Sequence, residues 1–595
     1  MLRMFLSGVA FAALASTALA QEAADAVAPE EATALATSGF SDAATTALAL
    51  RDAGQVVEAD NWMVAAANPH AVEAGAKVLR AGGTAADAMV AVQVMLGLVE
   101  PQSSGLGGGA FLVYYDAKTG TLTTLDGRET APLEATPRLF QDEAGAPLKF
   151  FDAVVGGLSV GTPGTPALLE AAHRKWGQAN WSSLFEDAIA LSERGFAVSP
   201  RMAASIARDA ERLARFPDTA AYFLPGGAPL AEGQVLTNSA YGATLRILAE
   251  QGTGAFYTGE LAADIVRTVQ NAPGNPGVLN AMDLALYQVK ERPATCAAYR
   301  SYDVCGMGPP SSGALTVGQI LGMLNSFDMA ELGSDNPISW RLIGDASRLA
   351  FADRGRYMAD SDFVPVPTEG LVNSDYLADR ANLLRRDTAL ESVAPGTPEF
   401  GHALNWADDE SLELPSTSHI SIVDAYGNVL SMTTTIENGF GSRLMTNGFL
   451  LNNELTDFSF RTHRDWVPIA NRLEPGKRPR SSMAPTIVLE DGAPVLAIGS
   501  PGGSRIIGYV AKSIVAWADW GMDLQTALAM PHAVNRFGAY DLEAGTSAEA
   551  LSEPLSAMGF EVNSRGLNSG LHAIEIGDTL KGAADPRREG IALGG

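Results

Sequence analysis

A threonine inside the chain stands where a hydroxyl nucleophile could work. Thr417 directly precedes an alternating run, residues 419–423, that predicts a half-buried strand, and residues 429–436 predict a second strand. Between them, residues 424–428 fit a hairpin loop with glycine in the left-handed position. This register places Thr417 opposite Thr435, at about 5 Å. The sequence therefore predicts two threonine hydroxyls in contact at a strand end.

The chemistry open to Thr417 depends on whether the chain is cut before it. A threonine hydroxyl is a poor nucleophile without an adjacent base. Cutting the Ser416–Thr417 bond would create an α-amine beside the hydroxyl, with an unperturbed pKa of about 7.7–8.0 that suits a base. Without the cut, Thr417 is an ordinary edge-strand threonine. His419, on the same strand face, is interpreted as an orienting or structural histidine rather than as the base.

Two further motifs could take part in acyl transfer. Gly502-Gly503, after Pro501, offers backbone N–H groups for a developing oxyanion, although such a pair is often only a turn. A phosphate-binding loop is excluded because no Lys-Ser/Thr follows. Arg128 lies in a glycine-containing turn and is either a surface charge or a bidentate clamp for a carboxylate.

Seven sequence blocks, in this order, carry a resemblance to a known family. They are Ser103–Gly109, Asp126–Pro132, Pro309–Gly313, Thr417-x-His419 with Thr433–Glu437, Leu451–Phe458, Lys477–Thr486 and Gly499–Ser504. Together they resemble the gamma-glutamyltransferase family of the N-terminal nucleophile hydrolase superfamily, from about Asn61 to the C-terminus. The resemblance implies a self-processing γ-glutamyltransferase, or glutathione hydrolase, that forms an acyl-enzyme and uses neither a metal nor an organic cofactor.

The resemblance also assigns roles to individual residues. The catalytic group comprises Thr417, Thr435, Gly502 and Gly503. The γ-glutamyl carboxylate is expected to bind Arg128, Ser481 and Ser482, and the ammonium to bind Asp457 with Glu437 and Glu454; Gly503 also contacts substrate. One branch of the family carries amides at positions 437 and 454, whereas other bacterial members carry the same Glu residues.

Two other functions remain open from the sequence. A cephalosporin (glutaryl) acylase of the same fold would not need an ammonium pocket, and the three acids Glu437, Glu454 and Asp457 count against it. A catalytically inactive periplasmic binding protein would be favoured by loss of the threonines or the glycine pair, and all are present.

The mixture of helices and antiparallel strands predicts an α+β protein with layers of helix around sheets. The resemblance sharpens this to a four-layer αββα sandwich, cut at Ser416–Thr417 into two pieces of one intertwined fold. We expect a signal peptide over residues 1–20, a weakly ordered arm over 21–57 in which a short surface helix is possible, a large subunit over 58–416 and a small subunit over 417–595. The two subunits are expected to form a heterodimer.

Composition limits the partners and the compartment. The chain has 595 residues, 47% hydrophobic content and a formal net charge of −27, which argues against nucleic acid and anionic membranes as partners. The resemblance implies a small-molecule substrate, glutathione or another γ-glutamyl compound. Residues 1–20 combine Arg3, an apolar run and Ala18-Leu19-Ala20, which is typical of a secretory signal; an uncleaved anchor is the alternative. We therefore expect a periplasmic or secreted protein without a permanent membrane anchor.

The two cysteines fit an oxidising compartment. A tight turn at Arg300-Ser301 would place Cys296 opposite Cys305, so a cross-strand disulfide is possible, and two buried thiols are the alternative. A zinc site is not expected, because no histidine clusters with these cysteines.

Two loops are expected near the site. The polar, acidic residues 395–415 suit an accessible loop that reaches the cut site and then leaves. Residues 459–479 lie where some family members carry a lid, and Trp466 could cover the pocket or pack elsewhere.

Overall fold

A computed structural model of the chain describes residues 39–402, 405–409, 411, 413 and 416–595. The expected signal peptide, residues 1–20, lies outside the described residues. The α-helices, in chain order, are Asp42–Asp52, Pro69–Arg80, Ala85–Val99, Phe150–Val154, Thr165–Trp176, Glu186–Arg194, Pro200–Leu213, Pro217–Phe223, Ser239–Gln251, Gly254–Thr258, Glu260–Gln270, Ala281–Leu286, Gly313–Leu324, Met329–Leu332, Pro337–Tyr357, Thr368–Leu371, Ser374–Asn382, Ile506–Ala518, Leu524–Ala529 and Ser552–Ala557. Short 3₁₀ turns span Gly157–Ser159, Trp181–Phe185, Pro225–Gly227, Glu454–Asp457, Gly503–Arg505 and Ser547–Leu551.

Two seven-stranded antiparallel sheets form the centre of the molecule. Sheet I has the strand order Ile591–Gly594, Met63–Ala66, Ser418–Val423, Val429–Thr435, Gly109–Asp116, Thr121–Gly127 and Lys290–Arg292. Sheet II has the order Val57–Ala59, Leu580–Ala584, His572–Ile576, Ala493–Gly499, Thr486–Glu490, Tyr302–Met307 and Ala294–Tyr299. Small sheets pair Phe196–Ala197 with Val235–Leu236, Met445–Thr446 with Phe449–Leu450, His463–Arg464 with Val467–Pro468, and Ala533–Val534 with Tyr540–Glu543 and Val562–Arg565.

The sheets stack face to face between two layers of helices. Side chains alternate along each strand, so a strand of sheet I packs Val429 against sheet II and Leu430 against the helices. The helix 85–99 covers sheet I, and the helices 313–324 and 506–518 cover sheet II. The prediction of a four-layer αββα sandwich is confirmed.

Capping residues in the sequence mark where the helices that support sheet I begin. Asn68 caps the helix 69–80 by accepting from the His70 N–H, and proline occupies the first helical position. Thr84 and Asp87 form a reciprocal capping box at the start of the helix 85–99, which is buried along its whole length. This helix therefore serves as core and not as a membrane span; none of the helices within the described residues is long and apolar enough to cross a bilayer.

Part of the arm that we predicted to be weakly ordered is a helix. Residues 42–52 are helical, and Leu48 is buried on the side facing the molecule. Arg51 donates to the main-chain oxygens of Arg588 and Gly590, at 3.0 and 2.8 Å. The short surface helix that the sequence left possible is therefore present over these residues, and contacts to a distant loop, which composition does not reveal, hold it in place.

The loop preceding the expected cut site is also more firmly held than predicted. Trp406 and Glu413 are buried, and the Asp409 carboxylate lies 3.1 Å from the Arg480 guanidinium. The Ala407 N–H donates to Pro468 O at 2.9 Å. Residues 406–409 and Glu413 are therefore packed, because Asp409 and Glu413 find buried cationic partners, whereas Thr397, Glu399, Gly401 and Asn405 are exposed as predicted.

The other loop, residues 459–479, contains a small hairpin. Asp465 and Trp466 form its turn, and the Trp466 side chain is 97% exposed. It neither packs in the core nor lines the pocket described below, so both alternatives for Trp466 fail. At the far edge of sheet II, the predicted tight hairpin pairs Cys296 with Cys305, and a disulfide joins them with 4.0 Å between their Cα atoms.

A buried lysine in the helix 506–518 yields a prediction about stability. Lys512 donates to Met530 O at 2.8 Å, and burial, followed by the nearby Arg587, lowers its pKa to about 7. The folded protein thus binds fewer protons here than the unfolded chain between pH 7 and the ordinary lysine pKa of 10.5, so stability rises with pH across that window. Lys512→Met is expected to stabilise the protein at pH 7 by roughly 1–3 kcal/mol, since each pKa unit corresponds to about 1.36 kcal/mol.

Thermal unfolding at pH 7 and pH 9 would measure this effect. The difference between the variant and the wild type is expected to shrink at pH 9, because the free-energy cost of removing the lysine proton on folding falls by about 1.36 kcal/mol for each pH unit. Lys581→Met, at a partly exposed position, is the control and should leave both midpoints nearly unchanged. A pH-independent difference for Lys512→Met would show that packing, not charge burial, is responsible.

Candidate active site

The two predicted threonines meet at the end of the central hairpin of sheet I. Ser418 pairs with Thr434, as the predicted register requires, and Thr417 Oγ1 donates to Thr435 Oγ1 at 3.2 Å. Thr435 Oγ1 also accepts from the Glu437 N–H at 2.9 Å. The backbone of Thr417 has φ = 140°, which residues with a side chain rarely adopt. The chain is thus held in an unfavourable conformation beside the Ser416–Thr417 bond.

Neighbouring groups fix the backbone on both sides of this bond. Ser416 Oγ donates to Gln102 O at 2.9 Å. Arg588 Nη1 donates to Thr417 O at 2.9 Å, while its Nε donates to Asn568 Oδ1 at 3.0 Å. Arg588 belongs to the loop that Arg51 of the N-terminal helix holds. A helix almost four hundred residues away therefore supports the position of Thr417.

A pocket opens beside Thr417. It is lined by Arg128, Glu413, Thr417, Thr435, Glu437, Glu454, Asp457, Ser481, Ser482, Met483, Gly503 and Ile506. The structure thus brings nearly all the sequence-predicted site residues to one place, although they come from five separate blocks of the chain. Gly502 lies next to the pocket, and Glu413, Met483 and Ile506 are lining residues that the sequence analysis did not select.

Glycine and asparagine residues allow these blocks to approach one another. A Cβ on Gly108 would lie 2.0 Å from Thr435 O, so only glycine fits beside the end of the hairpin. Asn452 Nδ2 donates to Gly107 O and Gly161 O, at 2.7 and 2.9 Å. These contacts position the turn 454–457 so that its two acids, Glu454 and Asp457, line the pocket.

The glycine pair predicted to stabilise an oxyanion lies at the start of a helix. Gly502 has φ = 136° and Gly503 has φ = 58°, and a Cβ on Gly502 would lie 2.7 Å from the Tyr509 ring. The turn 503–505 continues into the helix 506–518, whose N-terminal N–H groups and dipole favour negative charge. Gly503 and Thr417 line the same pocket.

Arg128 is the centre of a buried ion-pair cluster. Its side chain is 1% exposed, and Nη1 and Nη2 bind Glu454 and Asp457. Nε donates to Pro479 O at 3.2 Å, and Nη2 donates to Arg480 O at 2.8 Å. Tyr287 supports the same turn by donating to Arg128 O at 2.8 Å.

The cluster holds more carboxylates than cations. Glu129, Glu454 and Asp457 surround the one guanidinium of Arg128. Burial raises the pKa of each of the three carboxyls, that of Glu129 to about 8, although Arg128 opposes the shift. Within the described residues, Glu454 Oε2 and Asp457 Oδ1 have no hydrogen-bond partner. The cluster can therefore accept one further cation.

A second cationic cluster lies behind Ser482. Arg354 Nε donates to Ser312 Oγ at 2.8 Å, and Nη2 donates to Ser482 Oγ at 2.7 Å. Glu413 accepts from both Arg354 and Ser482. Burial, with Arg480 next, lowers the pKa of Arg354 to about 10. Burial alone would raise the pKa of Glu413, but Arg354 and Arg480 lower it.

His419 occupies a structural position between the sheets. Its ring nitrogens contact Thr433 Oγ1 at 2.9 Å and Ser421 Oγ at 3.1 Å, and a Cβ on Gly499 would lie 2.2 Å from its ring. Burial lowers its pKa well below the ordinary value, so it is neutral. The structural interpretation of His419 therefore holds. Among the described residues, no group of three or more His, Cys, Asp or Glu side chains could hold a metal.

Two stacked antiparallel sheets between helical layers, with a threonine at the start of a central strand beside a pocket, define the N-terminal nucleophile hydrolase class. The family model of gamma-glutamyltranspeptidase matches residues 71–595. The chain belongs to the gamma-glutamyltranspeptidase family, whose members are enzymes.

Individual relatives carry two kinds of name. The chain is 38% identical to the glutathione hydrolase proenzyme of Bacillus subtilis (strain 168), over 91% of this chain and 92% of the relative. It is 34% identical to the acylase ACY 1 proenzyme of Pseudomonas sp. (strain SE83), over 90% and 94%. Its structure resembles the cephalosporin acylase from Bacillus halodurans, with a TM-score of 0.80 and 25% identity over 91% of this chain and 97% of that one.

The sequence did not predict the residues that support the site through buried contacts. Arg480 stands within one of the family-like blocks, and Glu413 is an acid shortly before the expected cut, so each carried a weak signal. Arg354 and Arg588 carried none, because only the folded chain brings them to Ser482 and Thr417.

Proposed function

We propose that the chain cuts itself between Ser416 and Thr417 and then transfers γ-glutamyl groups from glutathione-like amides to water or to amino acids and peptides. The observation that carries this proposal is the Thr417–Thr435 pair, which opens onto a pocket with one guanidinium and an excess of buried carboxylates. A γ-glutamyl group presents a carboxylate, an ammonium and an amide carbonyl, and this set of residues complements all three.

In the self-cleavage step, Thr417 Oγ1 attacks the carbonyl carbon of Ser416. The C–N bond of the peptide breaks, the Thr417 nitrogen takes up the proton that Oγ1 loses, and an ester joins Ser416 to Oγ1. Water then hydrolyses this ester, which releases the Ser416 carboxylate and leaves a free Thr417. The positive φ of Thr417 supports this step, because breaking the bond relieves the strained conformation.

In turnover, the free α-amine of Thr417 is the general base. It accepts the proton of Oγ1 as this atom attacks the γ-carbonyl of the donor, and the proton then passes to the leaving amine. N–H groups at Gly502-Gly503 stabilise the oxyanion, a contribution worth about 2.7–4 kcal/mol per donor in comparable sites. Water or a second amine resolves the acyl-enzyme by the reverse path, and Thr435 orients the hydroxyl throughout.

The donor is held at both ends of its amino-acid group. Its ammonium binds Asp457 and Glu454, with Glu437 nearby, and supplies the cation that the Arg128 cluster can accept. Its carboxylate binds near Arg128, Ser481 and Ser482. Burying the ammonium next to unpaired carboxylate oxygens favours γ-glutamyl groups over acyl groups without an amine.

Glutaryl acylase activity is the second candidate, and the similarity to the two acylases favours it. A glutaryl group has the carboxylate but lacks the ammonium, so the excess carboxyls of the Arg128 cluster would stay neutralised by protons, as their raised pKa values allow, and would form no ion pair with the donor. The missing ion pair makes the acylase the weaker proposal. An inactive binding protein is weaker still, since both threonines and both glycines stand at the pocket.

The mature protein would be a heterodimer of a large subunit ending at Ser416 and a small subunit over 417–595, sharing both sheets. Export to the periplasm or the medium is supported by the signal-like first twenty residues and by the Cys296–Cys305 disulfide.

An assay with γ-glutamyl-p-nitroanilide, with and without glycylglycine, tests the function. The purified protein is expected to release nitroaniline, and faster with the acceptor present. Glutaryl-p-nitroanilide is the matched donor without the ammonium and should react at least tenfold more slowly. A preference for the glutaryl donor would establish the acylase instead, and no release from either donor by cut protein would refute both.

A further inference from the structure

The carboxylate of Glu413 occupies a built anion site in the uncut chain. It accepts hydrogen bonds from Arg354 Nη2 and Ser482 Oγ, and Arg480 Nε lies 3.5 Å away. All three partners are almost completely buried. Glu413 also lines the pocket that contains Thr417. A carboxylate of the chain itself thus fills the space between the pocket and two guanidinium groups.

Every acidic partner of Arg480 in the described residues belongs to the segment before the cut. Arg480 Nη1 lies 3.1 Å from Asp409, Nε faces Glu413, and Nη2 donates to Ser411 Oγ at 2.8 Å. Nε and Nη1 stand at ion-pair distance but without hydrogen-bond geometry, although the side chain is 1% exposed. Arg480 therefore keeps binding capacity that the described residues do not satisfy.

Arg128, in contrast, has little capacity left for another carboxylate. A guanidinium has five N–H donors, and those of Arg128 already serve Glu454, Asp457 and two main-chain oxygens. Arg128 by itself is thus a poor bidentate clamp. Ser482, which the substrate carboxylate is expected to contact, is hydrogen-bonded to Arg354 at 2.7 Å.

We propose that Arg354 and Arg480 complete the site for the carboxylate of the acyl donor in the cut enzyme, and that Glu413 is the internal stand-in for that carboxylate before cleavage. This inference rests on the proposed self-cleavage and γ-glutamyl transfer. Glu413 lies on the acyl side of the Ser416–Thr417 bond, as the γ-glutamyl group lies on the acyl side of the amide that it loses. Glu413 therefore lies in the part of the site that would hold the acyl group of the donor.

Cleavage allows the donor carboxylate to replace Glu413 in this site. Once the bond to Thr417 is cut, the new chain end carrying Asp409 and Glu413 can leave, and two buried guanidinium groups lose their acids. Like charges buried in proximity need an anion to be stable. A donor carboxylate restores the pairing, and its neighbour Ser482 adds a hydrogen bond. The site thus takes acyl groups of the dicarboxylate type, in which a carboxylate lies a few carbons from the reacting carbonyl.

Competitive inhibition by three small acids tests the assignment in the cut enzyme. Glutamate carries both carboxylates and the ammonium, glutarate lacks the ammonium, and 4-aminobutyrate lacks the α-carboxylate. In Arg354→Met and Arg480→Met, the inhibition constants of glutamate and glutarate are expected to rise tenfold to a hundredfold, while that of 4-aminobutyrate changes less than twofold. Arg472→Met removes a cation that pairs with Glu474 and does not line the pocket, and should change none of them.

A uniform rise for all three acids would overturn the proposal, because it would indicate a general structural defect. Unchanged constants in both variants would overturn it as well. The proposed function itself fails separately, if the wild type remains one polypeptide or releases no product from the γ-glutamyl donor.

A binding measurement keeps the test decisive where an arginine variant does not mature. Glutarate is expected to raise the unfolding temperature of the cut wild type but not that of the uncut Thr417→Ala protein, in which Glu413 fills the site. Equal stabilisation of both forms, or of neither, would show that Glu413 and the ligand do not compete. A glutarate effect in uncut Thr417→Ala that appears only after adding Glu413→Gln would support the competition directly.

Discussion

Replacing Thr417 with alanine is expected to leave the chain as one polypeptide with no transferase activity. The variant lacks the hydroxyl that attacks Ser416 and, without the cut, also lacks the α-amine that would serve as the base. A denaturing gel should show two bands for the wild type and one for the variant. N-terminal sequencing of the smaller wild-type band should begin at Thr417.

Thr434→Val is the matched control for this experiment. Thr434 precedes Thr435 on the second strand of the hairpin and is fully buried. Its Oγ1 has no hydrogen-bond partner within the described residues. It should be cut and active, because its hydroxyl takes no part in the proposed reaction. Cleavage of Thr417→Ala, or a smaller fragment beginning at another residue, would contradict the assignment of Thr417.

Removing the Arg128 guanidinium is expected to give the second-largest effect. Arg128→Ala leaves Glu129, Glu454 and Asp457 buried without their cation, which should cost about 3–5 kcal/mol of stability. The value of kcat/KM for γ-glutamyl donors should fall at least a hundredfold, because the acids that receive the ammonium lose their alignment. Arg128→Lys keeps the charge but loses the forked guanidinium geometry, so its kcat/KM is expected to lie between those of the wild type and Arg128→Ala.

Stability and kinetics must be measured together to separate these effects. Arg587 also joins two carboxylates, Glu543 and Asp585, in a half-buried position outside the pocket lining. Arg587→Ala is therefore expected to lower the unfolding temperature with little change in KM of the folded, cut enzyme. Equal kinetics for wild type and Arg128→Ala, with cleavage intact, would eliminate Arg128 from donor binding.

Short-range patterns were sufficient for a large part of the fold. The alternation on both sides of residues 424–428 determined the hairpin register, because a shift of one residue would exchange the two faces of each strand. The same kind of argument placed Cys296 opposite Cys305. Capping residues such as Asn68 marked where helices begin, since each satisfies N–H groups in its own first turn.

Contacts between distant segments decided the rest. The helix 42–52 has few large apolar side chains, and it is ordered through Arg51 and the loop 588–590. The loop before the cut site is polar and acidic, yet Glu413 is buried because Arg354 and Arg480 neutralise it. Composition predicts exposure for such segments, and only the position of a cation from elsewhere in the chain reverses that prediction.

The sequence by itself determined the central hairpin, the pair Thr417 and Thr435, and, through its family-like blocks, most residues of one pocket. Only the tertiary structure decided how the charges in that pocket are shared. In the folded chain, the Arg128 guanidinium is paired with Glu454 and Asp457, and Arg354 and Arg480 lie behind Ser482. The physical reason is that ion pairing in a buried site depends on distances of a few ångströms between residues far apart in the chain, and residue order does not encode those distances locally.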